Sequence, residues 1–224
     1  RFIKKNKKSP FVLWSSFPDP HTPFNCPEPW CYMHHPDEID LPENMERDFE
    51  RRPWWHKKSF EGKPDMPDKG LVKHRAKWSR VFPPDEKKLR HIIANYYGMI
   101  SLIDHNVGRI LSALNDAGIA DKTLVVYTAD HGDWLGDHGL LLKGPIIYES
   151  LLRVGCIMRG PQIPKNNTVD DPVSTLDIPA TFYDYSNISK PMELNGKSLM
   201  PLLKNNGNRD FAYNEWDLRS SRTG

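Results

Sequence analysis

Cysteine is scarce in this chain: Cys26, Cys31 and Cys156 are its three thiols, too few for a disulfide framework and silent on redox compartment. No apolar run approaches the roughly 20 residues that a bilayer-spanning helix needs, so no membrane span is expected. Net charge is nearly absent as well. The 31 Lys and Arg stand against 29 Asp and Glu, and a formal balance of +2 gives no charge argument for nucleic acid or an anionic membrane as partner. The basic start, Arg1 to Lys8, is not followed by a signal-type apolar core and cleavage site. It reads as the end of a surface helix feeding the short run Phe11-Val-Leu-Trp14, and a chain opening that way is expected to be cut from something longer. The C-terminus, Arg219 to Gly224, likewise stops without a terminating element.

What is present describes a globular protein. Hydrophobic residues are 38% and charged residues 27% of 224, enough for one sizeable core or part of a larger domain. Residues 9–17 are apolar, β-rich and closed by Pro18, the pattern of a strand. From Pro18 to Pro84 the chain is dense in Pro, Trp, His and charge, with no sustained period. Four of the chain's seven tryptophans fall there, and with short apolar clusters they favour a packed, substrate-shaping insertion over disorder. Ile93, Tyr97, Ile100, Ile103, Val107, Ile110, Leu111 and Leu114 then recur at helical spacing from about Asp85 to Ala117, with Gly118 placed for a C-cap.

After a short turn, Thr123–Thr128 reads as a buried strand, and helix, turn and apolar strand make half of an α/β unit. A second strand is expected over Leu152–Met158, ending at Gly160-Pro161. A helix through Leu176 to Tyr185 is expected, capped by Ser174 or Thr175, and another strand near Phe211 to Trp216.

The segment richest in chemistry is Thr128-Ala-Asp130-His131-Gly132-Asp133-Trp-Leu-Gly136-Asp137-His138-Gly139, followed by Lys143. In open α/β sheets, ligands gather beyond the carboxyl ends of strands, where Asp130 and His131 stand. A carboxylate beside an imidazole there suits a divalent cation, and Lys143 would face an anionic substrate. An ordinary polar turn satisfies the same composition, and at this level both readings stay open.

This segment, with Lys143-Gly-Pro145, Tyr148-Glu149 and Leu152-Arg153-Val154 after it, resembles the second conserved block of the type I sulfatases, of the alkaline-phosphatase-like superfamily. Four further landmarks follow in the family's order: Ser16 to Phe24 around His21, Asp104 to Leu111, Val173 to Thr181, and Gly196 to Leu203. The resemblance implies an α/β, sulfatase-like fold with a mainly parallel sheet flanked by helices, incomplete at both ends. Residues 1–210 would be a partial catalytic domain, 18–84 its irregular substrate-loop region, and 211–224 the start of a small C-terminal subdomain. Asp130 and His131 fall on metal ligands, Lys143 on the lysine that contacts sulfuryl oxygens, and His21 on the histidine near the leaving-group oxygen. The implied reaction is S–O cleavage of a sulfate ester. The implied cofactor is a divalent cation, Ca²⁺ first, with Mg²⁺, Mn²⁺ or Zn²⁺ also compatible with such ligands. A sulfated small molecule or carbohydrate is the expected partner, in a periplasmic, secreted or lysosomal setting.

The departures carry equal weight. The family's formylglycine nucleophile arises in Cys/Ser-x-Pro-x-Arg, and no Cys or Ser here has that context; Ser16 has Pro18, but Pro20 replaces Arg. The paired aspartates of the first metal-ligand pair are also missing, since Asp170-Asp171 does not follow a buried strand. The chain is therefore expected to hold half of a site and to be inactive alone. Two alternatives stand beside this reading: a phosphonate monoester or phosphodiester hydrolase of the same superfamily, and a non-catalytic metal-binding module. Cys26, Cys31, His34 and His35 suggest zinc only weakly, because their spacing is not that of a common finger. Asp133, Asp137 and His138 read as loop-stabilising rather than ligating.

Overall fold

The computed structural model describes residues 1–46, 50–52, 85–144 and 146–215. They divide into two compact units. One combines Arg1–Ala120 with His131–Arg153, the other Asp121–Asp130 with Val154–Gly224.

The first unit is organised by one long helix. Helix α1, Phe2–Asn6, is a single short turn whose Ile3 is buried and whose Phe2 meets Phe11 edge-on at 5.6 Å. Helix α2, Glu86–Asp116, is the periodic segment expected from the sequence. Asp85 caps it by accepting the Lys88 amide at 3.0 Å, which holds the Asp85 carboxyl below its ordinary value. At the other end Ile119 N–H reaches the Leu114 carbonyl and Gly118 N–H the Asn115 carbonyl, a Schellman motif with Gly118 at φ +69.

The buried face of α2 differs from the expected apolar stripe. Leu89, Ile93, Ala94, Gly98, Met99, Ile103 and Leu114 are buried, whereas Tyr97 and Ile100 are 41% and 40% exposed. The reason is close approach at Gly98, where an added Cβ would lie 2.6 Å from the Trp30 carbonyl and 2.8 Å from Cys26 Sγ. Small residues mark that face, and a count of large apolar side chains passes over them.

Around α2 the irregular region is packed where it is described. Ile39 joins Leu89, Ile93, Ala94 and Leu141 in a buried cluster flanked by Leu41 and Met45. Single 3₁₀ turns at Trp30–Tyr32 and Pro36–Glu38 are its regular elements among the described residues; 47–49 and 53–84 lie outside them. The strand expected over 9–17 is absent. These residues make no strand pairing, and Val12 and Trp14 are 92% and 85% exposed. Strand propensity without a hydrogen-bonding neighbour leaves an extended coil. A helical turn, α3, spans Glu149–Leu152, so the second expected strand begins later than its apolar run suggests.

The second unit carries the sheet. Strands β1, Val125–Thr128, and β2, Cys156–Arg159, pair antiparallel in the register Val125↔Arg159 to Thr128↔Cys156. This pair is the sheet among the described residues, and it leaves β1 half-buried rather than buried, with Tyr127 37% and Ile157 65% exposed.

Helix α4, Asp177–Tyr185, and helix α5, Met200–Leu203, complete the unit. Ser174 does not cap α4, whose N-cap is Leu176; its hydroxyl instead accepts the Leu176 amide in the preceding turn. Asp177 ties distant segments together. It accepts the Ser174 amide at 2.8 Å and the Lys197 amide at 2.9 Å, and it pairs with the Arg209 guanidinium. Asp171, one of the two loop aspartates, accepts the Arg209 amide at 2.6 Å. Residues 211–215 form no strand, and Trp216 lies outside the described residues.

Candidate active site

The loop after β1 folds back on itself within the first unit. Trp134 N–H donates to Leu142 O at 2.8 Å, Gly136 N–H to Leu140 O at 2.7 Å, and a 3₁₀ turn at Asp137–Gly139 closes the tip. This hairpin is anchored by Trp134, which is 2% exposed and packs with Leu140, Ile146, Tyr148 and Leu151. Its open end is pinned by Gly132 N–H to Leu151 O at 2.9 Å. Only glycine fits there, because a Cβ would sit 2.0 Å from the Ser150 carbonyl oxygen. His138 adopts φ +52 at the tip and stacks on the Tyr148 ring at 3.8 Å.

With Trp134 opposite Leu142, the next residues along the hairpin are Asp133 and Lys143, which therefore stand across from each other. His131 precedes Asp133 by two residues. Its Nδ1 lies 2.8 Å from the Gly132 carbonyl, and a carbonyl can only accept, so Nδ1 carries a proton and the lone pair of the neutral form falls on Nε2. His21 is arranged in the same way, with Nδ1 donating to Thr22 O at 2.7 Å.

Asp133 is the point where these groups converge. Burial pushes its carboxyl above the ordinary aspartate value; opposing this are the nearby charges of Lys143, His131 and His21, and a hydrogen bond from Tyr96. The Tyr96 ring in turn meets Phe24 at 5.7 Å, three residues after His21. The structure thus brings His21, His131 and Lys143 together in one unit. Asp130 is the last residue of the segment that carries β1, exposed and in the other unit.

Whether Asp130 and His131 suit a cation turns on their donors. A carboxylate oxygen and an imidazole carrying its lone pair on Nε2 are both suitable. They are two donors where a divalent ion takes roughly four to eight, and the described residues gather no group of three or more ligating side chains. The Cys/His cluster is otherwise engaged: His34 Nε2 donates to Ser101 Oγ at 3.0 Å, since that hydroxyl already donates to Tyr97 O, and His35 Nδ1 accepts the Asp37 amide.

Sequence reasoning gave Asp133 only a loop-stabilising place and did not single out Tyr96. Asp133 was legible only as the i+2 neighbour of His131, on the same side of an extended segment. Tyr96 flanks the apolar stripe of α2 and carried no motif.

The family model for Sulfatase matches residues 1–188. An arylsulfatase of Clostridium perfringens is 32% identical over 223 residues, which is 95% of this chain and 42% of that protein. An N-acetylglucosamine-6-O-sulfatase of Bacteroides thetaiotaomicron is 34% identical over 121 residues, covering 54% of this chain and 22% of its own. Among solved structures, the phosphonate monoester hydrolase of Agrobacterium radiobacter superposes with a TM-score of 0.69 at 25% identity, covering 94% of this chain and 42% of that one. The chain spans less than half the length of these relatives. No helix among the described residues is long and apolar enough to cross a membrane.

Proposed function

This chain belongs to the sulfatase family, and on that premise we propose that the protein it comes from hydrolyses sulfate esters with the help of a divalent cation. The observation that carries the reading is the convergence of His21, His131 and Lys143 on the hairpin that bears the family motif. Lys143 binds the sulfuryl oxygens and offsets the negative charge that grows there as the S–O bond breaks. His21 holds its Nδ1 proton on the Thr22 carbonyl, so the proton that moves is the one on Nε2, and the imidazolium delivers it to the departing alcohol oxygen. Asp130 and His131 are the proposed ligands, His131 through Nε2. The cation, Ca²⁺ first, would supply polarisation of the sulfate and orient the nucleophile. That nucleophile is assigned to a part of the protein other than these 224 residues, since no Cys or Ser here stands in the family's motif. Residues 1–210 are assigned to the catalytic domain and 211–224 to the start of a smaller subdomain.

The substrate class follows the relatives toward sulfated carbohydrates or aryl sulfates. The likeness to a phosphonate monoester hydrolase favours a second reading, in which the same groups serve an aryl phosphonate. Matched assays of the full-length protein on 4-nitrophenyl sulfate and an aryl phosphonate monoester separate the two. The expected result is a higher kcat/KM for the sulfate, lost on chelation and restored by Ca²⁺; a large preference for the phosphonate overturns the assignment.

A further inference from the structure

The hairpin that bears His131 and Lys143 also bears a carboxylate to which the mechanism above gives no work. A negative charge beside an anion-binding lysine opposes substrate binding, and half-burying it is costly unless it is compensated. Here part of that compensation is built in. The backbone bond from Trp134 to Leu142 sets Asp133 opposite Lys143, and the pinned ends of the hairpin, Gly132 on Leu151 and the buried Trp134, allow the carboxylate little freedom. From α2, the Tyr96 hydroxyl reaches the same carboxylate, while its ring rests against Phe24 of the His21 segment.

Resting on the sulfatase reading, we propose that Asp133 is a positioning residue: tethered by Tyr96 and facing Lys143, it holds the ammonium group on its line to the substrate oxygens. Lysine needs such a partner more than arginine would, because its charge rides on four rotatable bonds with no planar fork to orient it. The carboxylate trades some affinity for the anion against a fixed direction of approach, and misplacing a charge by about 1 Å in such a site costs roughly a hundredfold in rate. Tyr96 belongs to the same device, since without its hydroxyl the carboxylate is free to turn toward the other basic groups.

The test is kinetic, on the full-length enzyme. Asp133→Asn keeps the volume and removes the charge. It is expected to lower kcat roughly ten- to a hundredfold while inhibition by inorganic sulfate stays equal or tightens, with Tm within about 2 °C of wild type. Asp133→Glu should retain more activity than Asp133→Asn. Tyr96→Phe should lose roughly three- to tenfold, and the double variant should be no slower than Asp133→Asn alone, because both act through one group. Tyr96→Phe also carries the test should Asp133→Asn fold poorly. A kcat within about twofold of wild type in Asp133→Asn, or losses that multiply in the double variant, overturns the proposal. A wild-type protein inactive on both ester classes would overturn the functional reading and this inference together; an active wild type with an unimpaired Asp133→Asn overturns this inference alone.

Discussion

His21 and His131 share one local device: each donates Nδ1–H to the carbonyl of the following residue, at 2.7 and 2.8 Å. The backbone carbonyl takes the Nδ1 proton in each, which leaves Nε2 as the atom for the proposed roles. The two roles proposed for them need opposite states of that atom, a proton on His21 and a lone pair on His131. Replacing His21 by Ala should therefore reduce hydrolysis of alkyl sulfates far more than that of 4-nitrophenyl sulfate, whose leaving group needs no acid. Equal losses across a leaving-group series would argue against that role. Lys143→Ala should lower kcat on every substrate by roughly 10²- to 10³-fold, because it removes charge stabilisation common to all; the same series measures it.

At the scale of elements, α2 shows two glycines of opposite meaning. Gly98 has the Trp30 carbonyl and Cys26 Sγ within 2.8 Å of where a Cβ would stand, whereas Gly108 has nothing within 4 Å. Alanine is the better helix former by about 1 kcal/mol, so Gly108→Ala should stabilise by up to that amount. At Gly98 the same change must overpack a closed contact. A cost of about 1–3 kcal/mol outweighs the propensity gain, and the net effect should be destabilising in urea unfolding. The span and both ends of α2 were legible in sequence because capping and period are local. Its face was not: Tyr97 and Ile100 fit the period but lie beside the contact that Gly98 and Ala94 make possible. Residues 9–17 failed for the complementary reason, since a strand is a pairing and no single segment encodes its partner.

Across the molecule, the Asp177–Arg209 ion pair ties together segments of the second unit that are distant in sequence. The Asp177 and Arg209 side chains are 6% and 15% exposed, and their hydrogen bonds draw in residues 174, 197 and 198, while the Arg209 amide is held by Asp171. Arg209→Ala leaves the Asp177 charge buried without its partner and should cost about 3–5 kcal/mol in chemical denaturation, far more than a surface pair. An apolar pair of similar volume at both positions should recover much of that loss.

The family and helix α2 were readable from the chain alone, and the same motifs singled out His21, Asp130, His131 and Lys143 as the proposed site residues. Each depends on a residue's neighbours within a few positions or on a fixed motif. What only the tertiary structure decided is which of them meet and what else joins them. Asp133 looked like a solvated turn residue until the Trp134–Leu142 bond set it opposite Lys143 and α2 delivered Tyr96 from 37 positions away. Asp177 and Arg209 likewise lie 32 positions apart, with no motif joining them. Such pairings depend on chain reversals and on the compensation of buried charge, and local periodicity carries no record of either.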